Sequence, residues 1–207
     1  MGASTKVILV RHGQTDWNRT KRYQGHSDIP LNETGQMQAK QVGKRLASLP
    51  LRAVYSSDLT RAVQTAAAIA LPHGLTVMTC AAFRELNFGL WEGLTYEEIM
   101  AGWPAWLTAM YARPSIGYAP QGESFPLVQL RALKGLNACI AAHPGETIAI
   151  VSHGGPLRTL LCAALGLPID QVWSLKQDTT AVNILEYSEG LLQLVLSNDT
   201  QHLKEDA

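Results

Sequence analysis

Short apolar runs rich in β-branched residues alternate along this chain with longer amphipathic segments. Six runs predict strands, at residues 6–11, 52–56, 75–79, 147–152, 181–187 and 191–197. Between them, helical spacing of apolar residues predicts helices over 33–48, 58–70, 125–142 and 155–165. This alternation is typical of an α/β fold, so we expect a three-layer sandwich with a mostly parallel central sheet. Only a short turn around Gly190 separates the last two strands, which predicts an antiparallel edge.

Residues 86–122 do not follow this alternation. They are rich in large rings and are interrupted by prolines, namely Trp91, Trp103, Trp106, Tyr111 and Tyr118 with Pro104, Pro114 and Pro120. No internal repeat or low-complexity linker separates them from the rest of the chain. We therefore expect one domain over residues 1–207, with a small helical cap inserted at about 86–122.

Composition narrows the classes of protein that the chain could represent. Of 207 residues, 46% are hydrophobic, which suffices for a sizeable core, and the formal net charge is zero. A neutral chain has no overall field for nucleic acid or anionic membranes, and no stretch reaches membrane-spanning length. Three cysteines far apart in sequence argue against a disulfide framework, and the first apolar run is too short for a signal peptide. We expect a soluble cytoplasmic protein without nucleic-acid or membrane partners.

Two predicted strands end in the same unusual way. The stretch VILVRHGQT (7–15) leads into Arg11 and His12, and IAIVSHGG (148–155) leads into His153. Ligands of open α/β sheets bind at the carboxyl ends of the strands. A single histidine after a strand is more often a hydrogen-bonded boundary residue than a ligand-binding group. Two histidines, each followed by glycine, favour a shared site at this edge.

Two further segments add charged groups at the same edge. In AVYSSDLTRAVQTA, a predicted strand leads into a helix that carries Arg61 in its first turn, where free N–H groups and the helix dipole favour anions. In FRELNFGLWEG, Glu85 follows the 75–79 strand and precedes the aromatic segment. Either residue alone is more simply interpreted as an exposed surface side chain. Glu92 in the same segment is a second candidate carboxylate.

Two arginines, two histidines and a carboxylate suit phosphoryl transfer without a metal. Arginine forks match phosphate oxygens bidentately, an imidazole can attack phosphorus, and a carboxylic acid can protonate the leaving oxygen. In this interpretation Arg11 binds the phosphoryl group that His12 attacks. The sequence has no Walker A motif, no G-x-G-x-x-G, no G-x-S-x-G and no metal-ligand spacing. We therefore expect neither a metal nor another cofactor.

Four segments in this order, LVRHGQTDWN, YSSDLTRAVQTA, RELNFGLWEG and VSHGG, resemble the signature blocks of the histidine phosphatase superfamily. The resemblance extends to QGHSDIPLNETGQMQA and NDTQHL, covers nearly the whole chain, and is greatest to short bacterial broad-specificity and α-ribazole phosphatases. It implies that His12 is the nucleophile that becomes phosphohistidine and that Glu85 is the proton donor. The implied phosphate pocket comprises Arg11, Arg61 and His153. Polar groups that bind substrate or support the loop would be Asn18, Gln24, Thr15 and the backbone N–H of Gly154.

Three functions remain open at this point. A phosphomonoesterase is favoured over a phosphoglycerate mutase because the cap segment carries only one basic residue, Arg113, although Arg19, Lys21 and Arg22 keep a mutase open. A non-catalytic phospholigand-binding module is least favoured, since both the nucleophile and the acid are present. The expected partner is a small phosphate ester, with a homodimer left open. If the aromatic segment roofs the site, aryl or nucleoside-like esters should be preferred.

Overall fold

The computed structural model describes residues 4–204, and six strands lie within that range. They are β1 (Thr5–Arg11), β2 (Leu51–Ser56), β3 (Val77–Thr79), β4 (Thr147–Ser152), β5 (Val182–Ser188) and β6 (Leu191–Asp199). The α-helices of the same range are α1 (Asp16–Arg19), α2 (Glu33–Leu46), α3 (Thr60–Ala70), α4 (Tyr96–Gly102), α5 (Pro104–Ala112), α6 (Phe125–Ala142) and α7 (Gly154–Leu165). All six predicted strands and all four predicted helices are therefore confirmed, with small shifts at their ends.

The strands form one sheet in the order β3-β2-β4-β1-β5-β6. The first four of these are mutually parallel, and β5 and β6 add antiparallel partners at one edge. Arg11 at the end of β1 is in register with Ser152 at the end of β4. The two His-Gly motifs, distant in sequence, therefore leave the sheet side by side.

Helices cover both faces of the sheet because side chains alternate along its central strands. Val7 and Leu9 of β1 pack on one face in a buried cluster with α6 and α7. Ile8 and Val10 pack on the other face in a second cluster with α2 and α3. This arrangement confirms the predicted three-layer α/β sandwich with a mostly parallel sheet and an antiparallel edge.

Serine and aspartate are favoured N-cap residues, so the sequence predicts Ser57 or Asp58 as the N-cap of α3, and the structure differs. The cap position is occupied by Leu59 without a side-chain hydrogen bond. The carboxylate of Asp28, from a distant loop, accepts hydrogen bonds from the N–H and the hydroxyl of Thr60, both at 2.7 Å. Asp58 instead pairs with Arg84. A tertiary contact thus supplies the oxygen that helix starts usually take from their own sequence.

The segment 86–122 contains α4 and α5 and has its own buried cluster. Trp91, Ile99 and Leu107 are fully buried in this cluster, which continues onto α6 through Phe125. The segment therefore packs against the first turns of α6 at the end of the sheet where β1 and β4 terminate. Between residues 4 and 204, no helix has the length and apolar character needed to span a membrane.

Candidate active site

A cavity of about 350 Å³ opens at the carboxyl ends of the central strands. Four of the five predicted catalytic side chains line it, namely Arg11, His12, Arg61 and Glu85. The ring of His153 lies below, with its centroid 5.0 Å from that of His12. A larger cavity of about 570 Å³ lies among α6, α7 and the β5–β6 hairpin, but none of its described lining residues is a cation or a histidine. The charged and titratable residues expected from the sequence therefore lie at the smaller cavity and not at the larger one.

His12 is buried and its tautomer follows from its hydrogen bond. Its Nδ1 lies 2.7 Å from the carbonyl oxygen of Gly13, which can only accept, so Nδ1 carries the proton. Burial lowers the pKa of His12 well below the ordinary 6.5, and the charges of Arg61 and Arg11 lower it further. The imidazole is therefore neutral at pH 7, and the lone pair on its Nε2 is available as a nucleophile.

His153 has the opposite tautomer. Arg61 donates from Nε to Nδ1 of His153 at 3.2 Å, and since a guanidinium only donates, the ring proton is on Nε2. Burial, followed by the charge of Arg61, lowers the pKa of His153 well below 6.5, so this ring is also neutral. Its Nε2 is buried and has no partner among residues 4–204. A buried N–H without an acceptor is costly, and an anion bound beside His12 would satisfy it.

Two arginines, Arg61 fully buried and Arg11 partly buried, supply the positive charge. Arg61 is fully buried and donates from Nη1 to the carbonyl of Ser27 and from Nη2 to that of Gly25, both at 2.8 Å. Arg11 donates from Nη1 to the carbonyl of Gln177 at 2.6 Å, while its buried Nε has no partner within the described chain. Burial, followed by nearby Arg158, lowers the pKa of Arg11 to about 10, so it remains charged at pH 7.

Glu85 is held by one of its two carboxylate oxygens. Oε1 accepts hydrogen bonds from the N–H groups of Leu86 and Gly155, both at 2.9 Å. Oε2 takes part in no hydrogen bond among residues 4–204, and the carboxylate lines the cavity. A Cβ at Gly155 would overlap Oε1, and one at Gly154 would lie 2.7 Å from Nη1 of Arg158. The two glycines after His153 therefore let a carboxylate and a cation approach the start of α7.

The polar residues Asn18 and Gln24 line the cavity, whereas Thr15 is buried behind them. The N–H of Thr15 donates to Oδ1 of Asn18 at 3.0 Å, and the hydroxyl of Thr15 donates to Oε1 of Gln24 at 3.0 Å. Because both amide oxygens are bonded to Thr15, the amide NH₂ groups are the donors left for a ligand. Thr15 thus orients two neighbours rather than reaching the cavity itself.

Sequence reasoning missed Arg158, which lies one helical turn after Gly154 in α7. Its guanidinium donates from Nε to the carbonyl of Leu175 at 2.8 Å and lies 5.6 Å from the centroid of the Trp173 ring. Among residues 4–204 it forms no ion pair within 4 Å. The spacing of four residues from the His-Gly-Gly motif could have indicated this arginine, since positions i and i+4 share a helix face.

The aromatic residues are placed differently from the expectation for the cap. Of the five rings noted in the sequence, Tyr111 is the one that lines the cavity. Trp91 is buried in the cap core, and Trp106 and Tyr118 border a separate surface groove. The rest of the aromatic wall comes from Phe88 and Tyr96 of the same segment and from Trp17 and Tyr23, so the segment does contribute to the wall.

Two of the three basic residues in the 19–22 loop reach the cavity. Arg22 lines it but also donates to the carbonyl of Gly93 and pairs with Glu98 at 3.2 Å. Arg19 pairs with Asp16 and lies outside. Lys21 lines the cavity and forms no ion pair within residues 4–204.

An α/β sheet whose strand ends carry two histidines, two arginines and a carboxylate is typical of enzymes that transfer phosphoryl groups through a histidine. The family model described as histidine phosphatase superfamily (branch 1) matches residues 7–200, and the chain belongs to this superfamily. The resemblance expected from the sequence motifs is thereby confirmed.

Known relatives extend over most of the chain. Phosphoserine phosphatase 1 of Hydrogenobacter thermophilus is 34% identical over 200 residues, which cover 97% of this chain and 95% of that protein. The probable phosphoglycerate mutase GpmB of Erwinia tasmaniensis is 36% identical over 185 residues, which cover 89% of this chain and 86% of that protein. The solved structure of YhfR from Bacillus stearothermophilus has a TM-score of 0.92 at 36% identity and covers 96% of this chain and 99% of that one. The chain is therefore an enzyme of the histidine phosphatase type.

Proposed function

We propose that this enzyme hydrolyses small phosphomonoesters through a phosphohistidine on His12, without a metal ion. The observation that carries the proposal is the neutral His12, which has no hydrogen bond at Nε2 among residues 4–204 and lines one cavity with Arg11, Arg61 and Glu85. A nucleophile needs an unprotonated lone pair, and the transferring phosphoryl group needs fixed positive charge. Both requirements are supported by groups within one cavity.

In the first step, Nε2 of His12 attacks phosphorus, and the bond between phosphorus and the ester oxygen breaks. The Nδ1–H of His12, which donates to the Gly13 carbonyl, helps to stabilise the positive charge that develops on the ring. Glu85 acts as the general acid and gives a proton from Oε2 to the departing alkoxide. The products are the free alcohol, a phosphohistidine and a Glu85 carboxylate.

In the second step, the Glu85 carboxylate takes a proton from water as the water oxygen attacks phosphorus. The bond to Nε2 breaks, inorganic phosphate leaves, and His12 and protonated Glu85 are regenerated. We assign Arg11, Arg61 and the Nε2–H of His153 to the phosphoryl oxygens, because preorganised donors stabilise charge that develops in the transition state. The amide groups of Asn18 and Gln24 and the N–H of Gly154, at the start of α7, complete the proposed pocket.

The setting in which the enzyme acts is also part of the proposal. We propose one domain in which residues 86–122 form the cap, acting in the cytoplasm on small molecules. The three free cysteines support a reducing compartment, and the zero net charge gives no support for nucleic-acid binding. A homodimer is left open.

A mutase would use the same pocket but return the phosphoryl group to a bound acid. Incubation with 3-phosphoglycerate, with and without 2,3-bisphosphoglycerate, separates the two activities. We expect release of inorganic phosphate from a responsive ester and no bisphosphate-dependent formation of 2-phosphoglycerate. Rapid isomerisation with little phosphate release would contradict hydrolysis as the main activity, and binding without any turnover would point to a non-catalytic module.

Glu85→Gln should separate substrates by the quality of their leaving group. Glutamine keeps an oxygen for the N–H groups of Leu86 and Gly155 but cannot give a proton to an alkoxide. General acid catalysis contributes about 10²–10⁴-fold, so we expect a loss of that order with alkyl phosphates. p-Nitrophenyl phosphate needs little protonation and should lose far less activity. An equal loss of kcat on both substrates would contradict the assignment of Glu85 as the proton donor.

The cavity wall supports a preference for aryl or nucleoside-like phosphates over 3-phosphoglycerate. Four aromatic residues besides Tyr111 line it, and aromatic pairs contribute about 0.5–1.5 kcal/mol beyond buried area. We expect a higher kcat/KM for such esters, with no response to added magnesium or to a chelator. A clear preference for 3-phosphoglycerate or a sugar bisphosphate would contradict this prediction and would direct attention to Lys21, which lines the cavity, forms no ion pair among residues 4–204 and is not assigned to the phosphoryl group.

A further inference from the structure

Glu92 binds a turn of the chain rather than facing the cavity. Its Oε1 accepts hydrogen bonds from the N–H of His26 at 2.7 Å and from that of Phe88 at 3.3 Å. Its Oε2 accepts from both the N–H and the hydroxyl of Ser27, at 2.8 and 2.6 Å. Four donors thus converge on one carboxylate, which contacts the turn of residues 24–28.

The close approach of Glu92 to this turn depends on Gly25. The backbone of Gly25 has φ +54°, in the left-handed region, and a Cβ there would overlap Oε1 of Glu92. Glycine removes both the conformational strain and the steric overlap. The turn and the carboxylate are therefore built to fit each other.

The 24–28 turn also contacts the phosphate pocket at several points. The carbonyls of Gly25 and Ser27 accept from the two Nη atoms of Arg61. Nε2 of His26 lies 3.0 Å from the carbonyl oxygen of Glu85. Asp28 accepts from Thr60, the first residue of the helix that carries Arg61.

We infer that Glu92 is a positioning residue that sets the orientation of Arg61 through the 24–28 turn. The N–H of His26 and the carbonyl of Gly25 belong to one peptide plane, so the carboxylate that fixes this N–H also directs the Gly25 carbonyl toward Arg61. The same carboxylate holds the N–H and the hydroxyl of Ser27, the residue whose carbonyl is the second acceptor for Arg61. Arg61 in turn donates to His153, so the tautomer of that histidine depends on the same geometry. This inference rests on the proposed role of Arg61 in phosphoryl binding.

The same contacts argue against Glu92 as the proton donor. Both of its oxygens are occupied by N–H or O–H donors, and the residue does not line the cavity, whereas Glu85 lines it with one oxygen free. A group that acts only through Arg61 should affect every phosphate ester alike. A proton donor should affect esters according to their leaving group.

Glu92→Gln tests the inference in combination with Arg61→Ala. The glutamine NH₂ would face N–H donors and repel them, so the turn should move. A small displacement of a catalytic group can lower the rate by up to about 10²-fold. We therefore expect Glu92→Gln to reduce kcat on p-nitrophenyl phosphate, by at most about 10²-fold. We also expect weaker inhibition by orthovanadate, and the same fractional loss of kcat on an alkyl phosphate.

The double variant gives the decisive comparison, since residues that act through one contact do not have additive effects. In the Arg61→Ala background, Glu92→Gln should change kcat and vanadate inhibition by less than about threefold. Multiplicative losses in the double variant, or a loss that depends on the leaving group, would overturn the inference. If Arg61→Ala alone leaves vanadate inhibition unchanged, the proposed phosphate pocket itself is wrong, which is a distinguishable outcome.

Two further variants keep the test independent of folding. Glu97→Gln makes the same chemical change at an exposed position of α4 and should leave kcat and vanadate inhibition unchanged. Ser27→Ala removes only one of the four donors and should shift both readouts in the same direction as Glu92→Gln, but less. If Glu92→Gln does not fold, a Ser27→Ala variant with normal vanadate inhibition would overturn the inference.

Discussion

His12→Ala is expected to abolish turnover of every phosphate ester. The displacement then has no nucleophile to form its covalent intermediate, and no other described side chain of the cavity carries a free neutral imidazole. The measurement is release of inorganic phosphate from p-nitrophenyl phosphate, together with acid-free rapid quenching of a labelled substrate. Label should be trapped on the wild-type protein and absent from the variant.

The control for this experiment is His73→Ala, which removes an imidazole from the turn after α3, away from the cavity lining. Its activity and labelling should match those of the wild type. Label found on a serine or cysteine of the wild type would contradict the assignment of His12. Because His12 is neutral in the folded protein, activity should persist below pH 6.5, the ordinary pKa of an imidazole.

Arg61→Ala is expected to lower kcat by about 10²–10³-fold, as for removal of one preorganised donor to a developing oxyanion. Arg61→Lys should not restore activity. The guanidinium donates in three directions at once, to His153, Ser27 and Gly25, and an ammonium on a flexible stem cannot reproduce that planar fork. The thermal midpoint should be measured alongside kcat, since a fully buried cation also contributes to packing.

Arg113→Ala provides a matched control, because Arg113 is exposed at the end of α5 and does not line the cavity. We expect it to retain wild-type kcat. Near-normal activity of Arg61→Ala would contradict the proposed pocket, since it would make a fully buried arginine dispensable for catalysis.

The fold was largely predictable because its signals are local. Each strand is a short apolar run, each main helix has its own apolar periodicity, and the hairpin at Gly190 follows from a short turn. The candidate site was predictable for a related reason. Arg11, His12 and His153 follow directly on strands, and the carboxyl ends of parallel strands share one edge of a sheet.

Other features depend on residues that are far apart in the chain, and no local pattern carries them. Asp28 supplies the hydrogen-bond acceptor at the start of α3. The carbonyls of residues 25 and 27 bind Arg61, and the N–H groups of the same loop are held by Glu92. Trp91 and Tyr111 both belong to the aromatic-rich segment 86–122, yet packing buries Trp91 and leaves Tyr111 at the cavity. Composition cannot distinguish them, because burial depends on which surface each ring meets.

By itself, the sequence determined the layers of the fold, the edge of the sheet where the candidate site lies and the residue types gathered there, since these follow from periodicity and strand direction. The tertiary structure alone decided the protonation and orientation of the groups. His12 and His153 have opposite tautomers because one contacts a carbonyl that only accepts and the other a guanidinium that only donates. For His153 the partner Arg61 lies 92 residues away, so donor and acceptor meet only when the sheet and its helices have packed together. For His12 the partner is the carbonyl of the next residue, and the path that the backbone takes after β1 places that oxygen at Nδ1.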